Sequence, residues 1–200
     1  MHINIAGLID HTNLKPYASL TDIEKLIREA AQFGAYAICI NPIYAKFARN
    51  RIREDRLNLR IAVVVDFPPF GSSTTEARVD MIKQYSAFAD ELDAVAPIGL
   101  IKSGLLEDAE RDMAELVETA HSLGKIIKMI AEDAHTTHNE KLILYRMIMR
   151  SGADFIKTST GFEDGQYAAL LGNNTGAQVE NVRLMAELSK QYNPRIGIKA

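Results

Sequence analysis

The sequence predicts an α/β fold, a (β/α)₈ TIM barrel that stops after its seventh strand, on three observations. Short apolar runs alternate with helical patterns at a steady beat along the chain. The runs are apolar on successive residues, as expected of parallel strands covered on both faces. Polar residues stand at the C-terminal ends of many different runs: Asn41, Asp66, Asp93, Glu132, Lys157 and Lys199. In a barrel those ends converge on one mouth. An open doubly wound sheet is the other architecture this alternation allows, but no G-x-G-x-x-G or Walker loop follows the first run.

The first run spans 3–8. The helix after it opens on Thr21-Asp-Ile-Glu24, read as a capping box, and carries Ile23, Leu26, Ile27, Ala30 and Phe33 at helical spacing before Gly34 stops it. Further runs follow at 35–40, 59–65 and 91–95. The basic stretch 49–60, interrupted by Glu54 and Asp55, reads as a solvated helix face and turn. A long helix is expected over about 105–123, with Ala109, Met113, Leu116, Val117 and Ala120 on one face and Gly124 at its end. Runs at 125–131, 153–156 and 195–199 complete the strands. Between the last two, Thr175-Gly-Ala-Gln178 reads as a second capping box for a helix bearing Val179, Val182, Met185 and Leu188. A closed barrel needs an eighth strand. The expectation is therefore one domain, 1–200, without the last helix–strand–helix portion, whose first and seventh strands flank an opening.

Composition narrows the function classes. The 200 residues are 47% hydrophobic and 24% charged, an ordinary globular balance with enough chain for a sizeable core. A net charge of −3 leaves no electrostatic footprint for nucleic acid or an anionic membrane. The longest apolar runs, such as Ile61-Ala-Val-Val-Val65, are far too short to span a bilayer, and no signal-peptide pattern opens the chain. A single cysteine, Cys39, permits no internal disulfide and fits a reducing, cytoplasmic setting.

Chemistry concentrates at two lysines. Lys157-Thr-Ser-Thr-Gly-Phe162 follows the apolar run 153–156, and Lys199 closes the run 195–199. A lysine at an apolar strand end is costly to bury and useful when its amine is neutral. A free lysine has a pKa near 10.4, so only about one amine in a thousand is neutral at pH 7. Burial and a second ammonium are two levers that lower it, and two lysines at adjacent strand ends supply both. Asp93, between Leu92 and Ala94, is expected inside the barrel, able to hold a lysine protonated and shuttle its proton; the bland alternative is a structural acid. Lys128 and Glu132 share a strand face and read equally as a buried ion pair or as direct participants. Cys39 reads as a small packing residue that brushes substrate rather than a nucleophile. His135 and His138, beside Glu132 and Asp133, raise a metal site, but they sit at a helix start where capping and solvated histidine are commoner.

With both lysines placed, the chain resembles the deoxyribose-phosphate aldolases, class I aldolases on a (β/α)₈ barrel. The resemblance rests on Ile9-Asp-His-Thr-Asn-Leu-Lys-Pro16, Ile38-Cys-Ile-Asn-Pro42, Phe67-Pro68 with Gly71, Asp90-Glu-Leu-Asp93, the stretch 128–132, Lys157 to Phe162, and Gly197-Ile-Lys-Ala200. It implies reversible cleavage of 2-deoxy-D-ribose 5-phosphate to acetaldehyde and D-glyceraldehyde 3-phosphate. Lys157 would form the Schiff base, with Lys199 beside it and Asp93 completing a proton relay through a water. Thr12, Leu14, Cys39, Phe67 and Thr160 would line the substrate, and Gly161 would offer a backbone N–H to its phosphate. The resemblance implies no cofactor and no metal, a phosphorylated sugar as partner, and a homo-oligomer, a dimer. Two departures stand out: the loop 163–176 is longer than the family's, and the glycine-rich segment expected after Lys199 is absent. A Schiff-base aldolase of another substrate, and a non-catalytic barrel acting as a binding partner, are the alternative readings.

Overall fold

The computed structural model describes residues 4–67 and 70–200. Its strands are β1 (Asp10–Asn13), β2 (Ala37–Ile40), β3 (Arg60–Val65), β4 (Glu91–Val95), β5 (Ile126–Ile130), β6 (Phe155–Lys157) and β7 (Gly197–Lys199). The helices between them are α1 (Leu20–Phe33), α2 (Ala45–Glu54), α3 (Thr75–Tyr85), α4 (Ile98–Lys102), α5 (Leu106–Ser122), α6 (His138–Ser151), α7 (Gly165–Leu170) and α8 (Val179–Tyr192). The strands form one parallel sheet in chain order. Its margins are β1 and β7, which share no ladder among the described residues. This is the open barrel that the pattern predicts, with its first and last strands flanking an opening. No helix among the described residues is long and apolar enough to cross a membrane.

The register explains why the core and the site separate so cleanly. Parallel partners share a face, so the pairs Thr12–Cys39, Cys39–Ala62, Val64–Asp93, Asp93–Lys128, Ile130–Lys157 and Lys157–Lys199 belong to one surface. The other surface carries Ile38, Ile40, Ile61, Val63, Val65, Leu92, Ala94, Ile127, Met129 and Ile156, which pack with the helices into the main core. The interior surface keeps only a small apolar cluster of Leu14, Cys39, Ala62 and Val64, with Phe67 against it. Its charged residues therefore face one another rather than the helices.

Two local readings need correction. Within 3–8, Ile3 lies outside the described residues and Ala6–Leu8 form a 3-10 turn; the strand is the polar Asp10–Asn13. Ile5 and Leu8 are exposed, so their apolarity does not mark a strand. The strand's polar residues are held instead by partners from afar: Asp10 by lysines of β5 and β7, and His11, facing outward, by Glu29 of α1 at 3.0 Å. The capping signals are also displaced. Ser19 and Asp22 form the box of α1, while Thr21 and Glu24 lie inside the helix. Gln178 is itself the N-cap of α8, makes no side-chain cap bond and donates to the Thr175 carbonyl.

The loop carrying Phe67 is braced from below by a buried arginine. Arg78 of α3 is fully buried and reaches Asp112 of α5 at 2.5 Å, the Val95 carbonyl, and Asp66 at 3.5 Å. Asp66 accepts from the Ser73 amide and hydroxyl at 3.1 and 2.5 Å, closing the turn. Gly71 sits under that turn at φ +75°, where an added Cβ would lie 2.6 Å from the Ala96 carbonyl oxygen and 2.8 Å from that of Val95. Gly71→Ala is thus expected to lower stability by about 2 kcal/mol or more, measured by urea unfolding. A loss under half that size would show that the turn has room to move.

Candidate active site

Lys157 ends β6 on the interior face, with 17% of its side chain exposed, and donates to Asp93 Oδ2 at 2.7 Å. Asp93, in the middle of β4, has a fully buried side chain. Burial pushes its carboxyl upward, but the Lys157 and Lys128 ammoniums outweigh that and hold it down at about 2. For Lys157 burial favours the neutral amine, yet Asp93 wins and its pKa is raised. At rest the pair is therefore an ammonium and a carboxylate.

Lys199 shares the interior face with Lys157 as its direct register partner. Its ammonium nevertheless turns to β1, reaching Asp10 Oδ2 at 2.8 Å and the Leu8 carbonyl at 3.2 Å, and so bridges the opening in the barrel wall. Among the described residues no hydrogen bond or ion pair joins it to Lys157 or to Asp93, and the ammonium that presses on Lys157 is that of Lys128. Asp93 and Lys199 are linked by side-chain contacts through Lys128 and Asp10.

Lys128 stands at the centre of these contacts. Its ammonium lies 2.9 Å from Asp93 Oδ1, 3.1 Å from Asp10 Oδ2 and 2.6 Å from Glu91 Oε2, with 2% of its side chain exposed. Of the two readings the sequence left open for it, the ion pair with Glu132 is not formed among the described residues. Glu132 adopts φ +47° just past β5, and its carboxylate accepts from the Thr160 hydroxyl at 2.5 Å and the Thr160 amide at 3.1 Å. Burial pushes the Glu132 carboxyl up to about 7 despite those bonds.

The six polar residues expected at strand ends thus divide into two kinds, and Asp93 lies within its strand rather than at its end. Asp93, Lys157 and Lys199 point inside. Asn41, Asp66 and Glu132 tie loops instead: Asn41 donates to the Leu14 carbonyl at 3.1 Å, Asp66 closes the turn at Ser73, and Glu132 folds the segment after Lys157 back onto β5. Asp10 and Glu91 are the interior residues that the sequence reading missed. Charged side chains two apart on an apolar strand, Glu91 and Asp93, were the available signal for one of them.

The residues expected to meet substrate gather at the same mouth. Leu14 and Cys39 are buried beside Ala62 and Val64, and Phe67 packs against them. Burial pushes the Cys39 thiol up to about 12, so it is an apolar wall and no thiolate. Phe67 meets Phe162 edge-on at 5.3 Å and Phe70 at 5.2 Å, roofing this wall with rings; Pro68 lies outside the described residues. A cavity of about 490 Å³ is bounded by Thr12, Leu14, Thr160 and Gly161 together with Lys15 and Lys25. Thr12 donates to the Asp10 carbonyl at 2.8 Å, and Gly161 has φ +82°.

The long loop after Phe162 is a built element. Asp164 caps α7 by accepting from Gln166 and Tyr167, and its own amide donates to His135 Nε2 at 2.9 Å. Asn173 then donates to the Ala134 and Thr136 carbonyls at 3.0 and 2.8 Å and accepts from Lys141 at 3.1 Å. His135 is thus a strap for α7, and desolvation lowers its pKa, which favours the neutral acceptor form.

The profile described as DeoC/LacD family aldolase matches residues 5–197. A deoxyribose-phosphate aldolase of Thermoplasma volcanium is 47% identical over 196 residues, covering 98% of this chain and 78% of that protein. One from Thermococcus gammatolerans is 42% identical over 99% of this chain and 82% of its own length. Among solved structures, a deoxyribose phosphate aldolase from Aeropyrum pernix, described as a unique tetramer, superposes with a TM-score of 0.82 at 28% identity, covering 98% of this chain and 76% of that one. A buried lysine–carboxylate pair at the mouth of an open (β/α) barrel and a match along nearly the whole chain lead to one conclusion: this chain belongs to the DeoC/LacD family of aldolases.

Proposed function

We propose that this protein is a class I aldolase that reversibly cleaves 2-deoxy-D-ribose 5-phosphate to acetaldehyde and D-glyceraldehyde 3-phosphate through a Schiff base at Lys157. The observation that carries this reading is the 2.7 Å contact between Lys157 and the buried Asp93. The Lys157 amine, once neutral, adds to the C1 aldehyde, and loss of water leaves a protonated imine. The C3 hydroxyl gives up its proton, the C2–C3 bond breaks, and the bonding pair flows into the imine nitrogen as an enamine. Glyceraldehyde 3-phosphate leaves, C2 takes a proton, and water hydrolyses the imine to acetaldehyde. Asp93 is the counter-ion of the imine and, as the carboxylate touching Lys157, the first proton carrier. Lys199 and Asp10 would serve the C3 oxygen from the β7 side.

The wall of Leu14, Cys39 and Phe67 suits an unhydroxylated two-carbon donor, because a hydroxyl placed there would be desolvated without a partner. Thr12, Thr160 and Gly161 would hold the chain toward its phosphate, in a cavity whose lining carries Lys15 and Lys25 together with Asp22 and Glu29. Exposed Tyr17, Leu20 and Ile43 support a homo-oligomer, with a dimer as its smallest unit, and the buried free thiol of Cys39 suits a cytoplasmic location. Sedimentation at micromolar concentration tests the first of these.

The test of the reaction is borohydride reduction with acetaldehyde followed by peptide mass analysis. A two-carbon adduct on Lys157 is expected. Adducts confined to other lysines would overturn the assignment.

A further inference from the structure

Glu132 takes no part in the contacts around Lys128, yet it is only 1% exposed and its backbone is left-handed at φ +47°. A dry carboxylate on a strained backbone persists where its surroundings hold it. The chain on either side is laddered. The Ala131 amide donates to the Lys157 carbonyl at 2.8 Å, the Asp133 amide to the Thr158 carbonyl at 3.0 Å, and the Thr158 amide to the Lys199 carbonyl at 3.0 Å. Lys157 and Thr158 are therefore fixed by backbone bonds from both sides. The Glu132 side chain is not needed to place the nucleophile.

That side chain catches the segment beyond the strand instead. Its Oε1 accepts from the Thr160 amide at 3.1 Å and its Oε2 from the Thr160 hydroxyl at 2.5 Å, while the hydroxyl oxygen accepts from the Phe162 amide at 3.1 Å. The amides on both sides of Gly161 are thus taken. The Gly161 amide itself makes no hydrogen bond among the described residues. Gly161 stands at φ +82° on the border of the 490 Å³ cavity, and an added Cβ would meet nothing within 4 Å. A free backbone N–H beside a cavity can serve a ligand oxygen, and it bonds a charged oxygen most strongly. We propose that Glu132 is a positioning residue of the aldolase site: by gripping Thr160 it fixes the turn from Thr160 to Phe162 and leaves the Gly161 N–H free for the substrate's phosphate. This rests on the Schiff-base reading above, whose substrate carries that phosphate.

Glu132→Ala removes the grip and leaves the ladder beside Lys157 in place. Its kcat/KM for 2-deoxy-D-ribose 5-phosphate is expected to fall about 10–100-fold, the range of one lost hydrogen bond to a charged group. For 2-deoxy-D-ribose, which has no phosphate, the change should stay within about threefold. Borohydride trapping of acetaldehyde on Lys157 should be as little affected, because the Glu132 carboxylate bonds Thr160 and neither Lys157 nor Asp93. Glu132→Gln separates position from charge. Its amide oxygen can accept from the Thr160 amide and its NH₂ can donate to the Thr160 hydroxyl oxygen, so the turn is kept while the charge is lost. This variant should recover activity on the phosphorylated sugar to within about threefold of the intact protein. Repulsion between Glu132 and the phosphate, by contrast, would make the Gln and Ala variants change alike.

Where Glu132→Ala does not fold, the intact protein carries the test. Inorganic phosphate should shift the Gly161 amide resonance in nitrogen–proton NMR. Before phosphate is added, the Thr160 and Phe162 amides should exchange with solvent at least about 100-fold more slowly than that of Gly161. A Gly161 amide that ignores phosphate overturns the proposal. So does a Gln variant as impaired as the Ala variant, or an Ala variant that loses equally on both sugars. Borohydride trapping in the intact protein separates the two questions. No acetaldehyde adduct on Lys157 defeats the aldolase reading and this inference with it; an adduct together with a silent Gly161 amide defeats the inference alone.

Discussion

Lys157→Leu is expected to leave a folded barrel that neither turns over substrate nor traps acetaldehyde, with kcat lower by about 10⁴-fold or more. The imine is the sole electron sink in the proposed cleavage, and no other interior lysine is free to replace it. Lys128 has three carboxylates on its ammonium, and Lys199 is held by Asp10 and the Leu8 carbonyl. Leucine matches the aliphatic part of the lysine, and Asp93 keeps Lys128 as a counter-ion. The pH dependence of stability should change in a defined way. The Lys157 pKa is raised in the folded protein, so its pairing stabilises below the ordinary lysine value and is lost as pH rises through the folded one. Asp93 is lowered to about 2 from 3.8, so its contribution is present above the ordinary value and is lost as pH falls through it toward 2. Urea unfolding of the variant should show a shallower decline on both flanks. Retention of even a hundredth of wild-type turnover would move the nucleophile elsewhere.

The parts of this molecule visible in one dimension are those governed by local pattern. Runs of β-branched residues such as Ile61 to Val65 and the helical spacing of Ala109, Met113, Leu116 and Ala120 respond to burial on known faces, and the strands and long helices follow. Lys157 and Asp93 were visible because charge on an apolar strand has few explanations. Asp10 was hidden because its strand, Asp-His-Thr-Asn, has no apolar pattern and exists through partners far away in sequence: Lys128 is 118 residues from Asp10. The ambiguity of Lys128 has the same origin. Lys128 and Glu132 lie on one strand face by count, but Glu132 turns to positive φ past the strand end, and register rather than spacing pairs Lys128 with Asp93. Helix α7 was read as loop because its six residues are too few to show a period, and its hold comes from Asn173 and His135, side chains with no local signature.

Asp93→Asn separates imine formation from proton transfer. The intact carboxylate keeps Lys157 charged, which slows its attack on an aldehyde, yet it is also the proposed conduit for the protons the later steps require. Asparagine keeps the shape and the acceptor oxygen but removes the charge. Burial and the Lys128 ammonium, both of which favour the neutral amine, then act on Lys157 without opposition. The rate of borohydride trapping on Lys157 should rise at lower pH than in the wild type. Turnover should fall by about 10²–10⁴-fold, because the proton taken up at C2 and the one given up at the C3 hydroxyl lose their carrier. Stability should fall by about 3–5 kcal/mol, since two buried ammoniums lose a shared partner. These effects have opposite signs on the two chemical readouts, which a merely damaged fold would not produce. Trapping that shifts to higher pH would show that Asp93 assists the attack, and near-normal turnover would transfer the proton-carrying role to Asp10 and Lys199.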